Sequence, residues 1–339
     1  MDSITHVALG AVVGEAVAGK SLGKRALFLG AIAQSIPDID FIAAFFLAPA
    51  DNLLAHRGFT HSFLFGALVA LTLAALSLRW YKAHQVPFSR WVFFFGLEIL
   101  IHLALDACNA YGVGWLEPFS HQRFSFHVLF VADPFYSLAP VLAMIMLMSV
   151  SARSTARRFW IWFGIVVSTA YLLYAISGKI MVTRQTTATL AQQRVSYKRL
   201  LTTPTPFNSW LWYVVAENGS GFYTGYRSVA DAWTDPLLLH YFHKNDSLLS
   251  EEINERHDVK QLKKFSQGYY TIEQRGDTLL FNDLRFGQIA GWEYPEAPFV
   301  FQYYINYPDA NLMVIQRGRF SNWNQHTFSS MIERMRGKK

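Results

Sequence analysis

The sequence predicts a multi-pass α-helical membrane bundle followed by a C-terminal, mostly β (α+β) soluble domain. Three observations predict it. Of 339 residues, 52% are hydrophobic and only 16% charged, a balance that suits a chain facing lipid better than one facing water. Charge-poor runs, several near the ~20 residues that a spanning helix needs, recur through the first 180 residues. After Lys179 the composition turns polar, and short aromatic or β-branched runs then alternate with Gly, Pro and Asn.

The apolar runs cover residues 4–19, 26–50 (broken by PDID), 62–78, 91–105, 134–152 and 159–178. The first and fourth are short and carry ionisable residues, so they are expected as half-buried helices of a bundle rather than passive anchors. A polar stretch, TRQTTATLAQQRVSYKRLL, reads as a linker helix. The expected division is a membrane-embedded helical domain at 1–180, a linker helix at 181–201 and a β-rich domain at 202–339. Within the last, DTLLFNDLRF, FVFQYYINY and LMVIQRG read as strands. Trp210, Trp212, Asp283 and Arg285 there suit either a lid over a substrate groove or a folded core.

Basic residues fall in every second connection: Lys20, Lys24 and Arg25, then Arg79, Lys82 and Arg90, then Arg153, Arg157 and Arg158. The positive-inside rule assigns these connections to the cytoplasm. The alternate ends, with His6, the PDID turn, His56, His61, His102 and Asp106, then face outward. The expectation is a protein of the inner (plasma) membrane with its site and C-terminal domain on the periplasmic side. The net charge of +6 is scattered rather than gathered in a stripe, so no nucleic-acid partner is expected. One cysteine, Cys108, excludes an intramolecular disulfide. The N-terminus carries Asp2 and Glu15 and lacks a basic start, which argues against a cleaved signal peptide.

The residues able to do chemistry cluster at those outward ends. In IHLALDA, His102 and Asp106 are four apart, so a helix projects both from one face, a spacing that suits metal ligation. Ionisable groups inside an apolar segment are costly and usually functional. Glu98 extends the stripe and can orient His102. In SIPDID, Pro37 ends the preceding helix, and Asp38 is the stronger ligand candidate; Asp40 is either a ligand or a turn residue. In HRGFTH, Gly58 permits a bend and Thr60 is the expected N-cap of the apolar helix that follows, which brings His56 and His61 together. Arg57 suits a phosphate, a lipid headgroup or an ion pair. His6 alone reads as a core histidine, and gains weight only from the end of the bundle it shares. Asp133, before Pro134, is an N-cap, a further carboxylate ligand, or both.

Together THVALG (5–10), PDID (37–40), HRGFTHS (56–62), HLALDACNAYGV (102–113), PFS (118–120) and the DP at 133–134 resemble the YdjM-like family of membrane-bound, metal-dependent hydrolases, also described as YbcI-like and LexA-regulated. The resemblance covers about the first 180 residues. It implies distant similarity to zinc phospholipase C and P1 nuclease, helical phosphodiesterases whose zinc ions are held by His and Asp, including a helical His-x-x-x-Asp. HLALD supplies that pattern once; a second, downstream copy is missing. The expected activity is hydrolysis of a phosphoester or phosphodiester of a lipid-linked or phosphorylated small molecule by metal-activated water. The expected metal ligands are His6, Asp38, Asp40, His56, His61, His102 and Asp106, with Arg57, Asp38 and His61 as the catalytic set. One or two divalent ions are expected, zinc first, with Mn2+ or Fe2+ also fitting the donors. The alternatives are a metal transporter or metal-sensing membrane protein without hydrolysis, or a scaffold whose β domain binds a partner.

Overall fold

The computed structural model describes residues 1–307 and 323–338. The chain divides into two compact units. One, helical, comprises Met1–Phe45, Ala55–Tyr174 and Pro206–Asn208; the other comprises Phe46–Leu54, Ala175–Thr205 and Ser209–Lys339.

In the helical unit, α1 (Ser3–Leu22) starts at Asp2, whose carboxylate accepts from the Thr5 amide at 3.0 Å, and stops at Gly23, whose φ of 59° suits glycine. The next helix, α2 (Arg25–Ser35), packs closely against it. A Cβ on Gly30 would lie 2.1 Å from the Gly10 carbonyl oxygen, so only hydrogen fits at this crossing. Pro37 cannot continue α2, and a 3-10 segment, Pro37–Phe45, leaves at a bend of 49°. Helix α3 (Pro49–Ala55) lies almost wholly in the other unit; α4 (Phe63–Trp80) and α5 (Phe88–Asp106), packed on each other, α6 (Pro134–Ser149) and the first half of α7 (Ala156–Gln192) complete this one. Large side chains from α5 (Trp91, Phe94, Phe95, Ile99, Leu103) fill the space left by Ala26, Ala33, Ala70 and Ala74. Ala11, Val12, Leu27, Ala143 and Leu147 join α1, α2 and α6. Small residues opposite large ones let the helices approach where apolar burial alone drives little association.

Among the described residues, α4, α5 and α7 are long and apolar enough to cross a membrane, and α2 with the bent 3-10 segment makes a fourth if counted as one broken span. Leu64, Leu68 and Leu71 on α4 and Phe159, Trp162 and Leu173 on α7 are exposed, an apolar surface out of place in water. The fourth apolar run is thus longer than the sequence suggested, a helix of 19 residues. The sixth runs unbroken into the expected linker as one helix of 37 residues.

The basic connections meet at one end of the helical unit. The Arg25 guanidinium donates to His84 Nε2 at 2.9 Å, and Arg157 bonds Glu15 Oε1 at 2.8 Å and the Leu147 carbonyl at 2.7 Å. The start of α1, the end of α2, the start of α4 and the end of α5 meet at the other, where the candidate site lies.

The second unit holds two antiparallel sheets. The first has β1 (Arg199–Pro204), β2 (Leu211–Asn218), β3 (Gly221–Ser228) and β4 (His240–His243) in that order. The second has β5 (Tyr270–Arg275), β6 (Thr278–Gln288) and β7 (Phe299–Tyr304). Helices α8 (Glu251–Glu255), α9 (His257–Phe265) and α10 (Gln325–Met335) complete it. Strand β2 is buried from Leu211 to Ala216, covered on both faces. Tyr213, Val215 and Phe222 pack with Leu284 and Phe299 of the other sheet, while Arg227 reaches Gln185 and Thr189 of α7 at 3.2 and 2.9 Å. Trp212, Asp283 and Arg285 are fully buried, which places them in this core and not on a lid. DTLLFNDLRF and FVFQYYINY supply β6 and β7; LMVIQRG lies outside the described residues.

Candidate metal centre

Four side chains from three parts of the sequence converge at the end of the helical unit opposite the basic turns. Asp38, His61, His102 and Asp106 each offer a ligand atom, and these atoms all lie within 4.8 Å of one another. Asp38 enters from the 3-10 segment that Pro37 starts; its Oδ1 is 3.6 Å from His61 Nε2 and 3.7 Å from His102 Nε2. His102 and Asp106 come from the last turn of α5, one above the other, as their spacing requires.

His61 sits in a short 3-10 turn, Phe59–His61, just before α4. Thr60 does not cap that helix. The cap is Ser62, whose hydroxyl accepts from the Phe65 amide at 3.0 Å, because the helix begins two residues later than the Thr60 assignment supposed. Thr60 instead places its hydroxyl 3.0 Å from His61 Nδ1. Burial disfavours a charged His61 imidazole, but the close approach of the Asp106 and Asp38 carboxylates and the charge of Asp40 outweigh it, holding its pKa above the ordinary value.

Hydrogen bonding fixes the role of His102. Its Nδ1 lies 2.6 Å from the Gln34 carbonyl oxygen, so Nδ1 carries the proton and donates it, leaving a lone pair on Nε2. That Nε2 faces His61 Nε2 at 3.1 Å. Glu98, fully buried, does not touch His102; its Oε2 accepts from the Gln34 side chain at 2.9 Å, so it acts on the same helix that orients the imidazole.

Asp106 is the hub. Its Oδ1 meets His6 Nε2 at 3.0 Å and the α-amino group of Met1; its Oδ2 lies 2.9 Å from Arg57 Nε, 3.2 Å from His61 Nε2 and 3.8 Å from His102 Nε2. Despite those neighbours, Oδ2 has no aligned hydrogen-bond donor among the described residues. A buried carboxylate oxygen aimed between two imidazole nitrogens, without a proton lined up to satisfy it, is a donor set suited to a cation. Two nitrogens and two oxygens fit zinc, and also manganese or iron.

The remaining candidates surround this tetrad. His6, fully buried, stacks on His102 with ring centroids 3.8 Å apart. Asp40 Oδ2 accepts from the Arg57 amide at 2.6 Å and lies 3.4 Å from His61 Nδ1, while His56 Nδ1 approaches Asp40 at 3.4 Å with the imidazole partly exposed. Neither Asp40 nor His56 is in the tetrad. Arg57 adopts a left-handed φ of 58°, a strained value for a side chain with a Cβ, which turns it inward. Its Nη1 donates to Asn109 Oδ1 at 2.7 Å, its Nη2 to the Met1 carbonyl at 3.2 Å, and Tyr111 lies under its guanidinium. Asp133 caps α6, accepting from the Phe135 amide at 3.0 Å, and its Oδ2 accepts a hydrogen bond from the Tyr171 hydroxyl at 2.9 Å.

Gln34, Asn109 and Arg123 were not anticipated. Arg123 ties the loop together, donating to the His56 and Gly112 carbonyls at 2.8 and 2.9 Å. Gln34, a polar residue inside an apolar run, carried a usable signal: an amide placed there needs a partner.

A family model described as YdjM inner membrane protein matches residues 1–181, which contain every residue of this site. Inner membrane protein YbcI of Escherichia coli (strain K12) is 36% identical over 123 residues, 36% of this chain and 69% of YbcI. YfhP of Bacillus subtilis (strain 168), an uncharacterized protein, is 28% identical over 151 residues, 42% of this chain and 45% of YfhP. No solved structure matches the chain. The chain belongs to the YdjM inner membrane protein family.

Proposed function

We propose that this member of the YdjM inner membrane protein family is a multi-pass, metal-dependent hydrolase that cleaves a phosphoester or phosphodiester of a lipid-linked substrate. The observation that carries the reading is the tetrad of a half-buried Asp38 with fully buried His61, His102 and Asp106, arranged around a carboxylate oxygen that lacks an aligned donor among the described residues. Ionisable groups in such surroundings are costly and usually functional. Asp38, His61, His102 and Asp106 would hold a divalent ion, zinc by preference, which would supply Lewis acidity and activate water for attack near neutral pH.

The chain's own residues set up the rest. The Gln34 carbonyl holds the His102 lone pair toward the centre, and Asp40 and Thr60 hold the ring of His61. Arg57 neutralises Asp106 and adds fixed positive potential beside the place where a phosphoryl oxygen gains charge. Ile39, Phe41 and Phe45 beside Asp38, and Phe59 and Phe63 beside His61, are exposed, an apolar rim suited to a substrate with a membrane-resident tail. The basic turns at the other end support a periplasmic placement of this one.

A transporter or sensor is the second reading, because the break between α2 and the 3-10 segment sits next to Asp38, as broken helices do in transport sites. Metal analysis and turnover separate the two. Detergent-purified protein is expected to hold stoichiometric metal that His102→Ala and Asp106→Ala lose while remaining folded, and to hydrolyse bis-p-nitrophenyl phosphate or phospholipid only when loaded. Metal uptake into sealed vesicles without hydrolysis selects the transporter; a wild type that takes up none of zinc, manganese or iron defeats both.

A further inference from the structure

The basic end of the helical unit carries a second feature, independent of the hydrolase reading. An open pocket of about 220 Å³ lies between the end of α1 and the start of α5, walled by Val17, Leu22, Val86, Trp91 and Phe93, with Arg90 on its lining. The Arg90 side chain is exposed and makes no ion pair or hydrogen bond among the described residues, and the same holds for Lys20, adjacent to the pocket residue Ser21.

Other cations nearby are already engaged. Arg25 donates to His84, whose Nδ1 donates in turn to the Ser21 carbonyl at 2.9 Å, closing one side of the pocket. Arg157 takes Glu15. Glu15 is the only acid in the sequence between Asp2 and Asp38, and none occurs from residue 52 to 97 or from 134 to 216, so no carboxylate from those segments can neutralise Arg90 and Lys20. An uncompensated arginine beside an apolar cleft, at the foot of a helix long enough to cross a membrane, asks for a ligand with one anionic and one greasy part. Exposed Trp80 and Phe88 on the flanking helix ends are the aromatic residues expected where chains meet headgroups.

We propose that this pocket binds an anionic phospholipid, with one acyl chain between α1 and α5 and its phosphate on Arg90 and Lys20. The test is native mass spectrometry of the full chain in detergent, titrated with phosphatidylglycerol, with phosphatidylcholine of the same acyl chains, and with inorganic phosphate alone. One phosphatidylglycerol is expected to be retained in preference to phosphatidylcholine, and phosphate alone is not. Arg90→Gln, at an exposed position that leaves the fold intact, is expected to cut that preference about fivefold, the worth of one basic side chain at a lipid surface. Ala18→Phe, which fills the cleft and keeps the charge, is expected to weaken retention of both lipids. Equal retention of the two lipids by wild type, an unchanged preference in Arg90→Gln, unchanged retention in Ala18→Phe, or binding of phosphate without a chain overturns the proposal. Metal content, read in the same spectra, is expected to stay constant across the variants, which separates this site from the metal centre.

Discussion

Asp106 in the helical unit and Asp283 in the β-rich unit are both fully buried and both face an arginine, but Asp283 finds its arginine on its own strand and Asp106 draws its partners from distant segments. Asp283 accepts several bonds from Arg285, at 2.6 Å from Nη2 and 3.0 Å from both Nε and the backbone amide, and Phe265 stacks under the guanidinium. Both partners lie on one strand, two residues apart. Asp106 instead gathers Met1 and His6 from one distant segment and Arg57 and His61 from another, and one of its oxygens still lacks an aligned donor among the described residues. Burial of a charge therefore does not distinguish structure from function; the geometry that is left unmet does.

Breaking each arginine pair from one side gives the sharpest contrast. Asp283→Asn or Arg285→Met is expected to lower stability by about 3–5 kcal/mol, because each strands a buried charge, and the double replacement Asp283→Leu with Arg285→Met is expected to recover most of it. Denaturant titration of the detergent-solubilised protein measures this. In the helical unit the double replacement Asp106→Leu with Arg57→Met is expected to recover less, because the buried Met1 amino group and His6 still lose their partner, and to hold no metal. If that double variant keeps its metal, Asp106 is no more than another structural carboxylate and the comparison fails.

The difference also explains what was readable in advance. His102 and Asp106 are legible because helical periodicity alone puts positions four apart on one face. The convergence of Asp38 and His61 on them was expected only from the alternation of basic turns, a rule about chain ends rather than contacts. Arg57 was legible as a cation but not as a buried one, since its inward turn depends on a left-handed backbone that no residue type announces outside glycine and asparagine. Gln34 orients His102 with a backbone carbonyl, a group that every residue carries and that sequence cannot single out. In the β-rich unit the strands were legible from their runs, whereas the continuity of α7 through residues 181–192 was hidden, because polar residues there face the sheet through Arg227 instead of marking a linker.

The smallest effect separates two adjacent hydroxyls that sequence cannot rank. Ser62 caps α4 through its hydroxyl, so Ser62→Ala is expected to cost about 1 kcal/mol of stability with metal affinity unchanged. Thr60 caps nothing and holds the outer nitrogen of His61, so Thr60→Val, close to it in shape, is expected to leave stability nearly unchanged and weaken metal binding by about 10–100-fold, the range for partners that orient a ligand. Competition with a chelator reads the second, denaturant titration the first. The outcome that would reverse the assignment is a stability loss in Thr60→Val with metal affinity intact, since that is how a helix cap behaves and not how a positioning residue does.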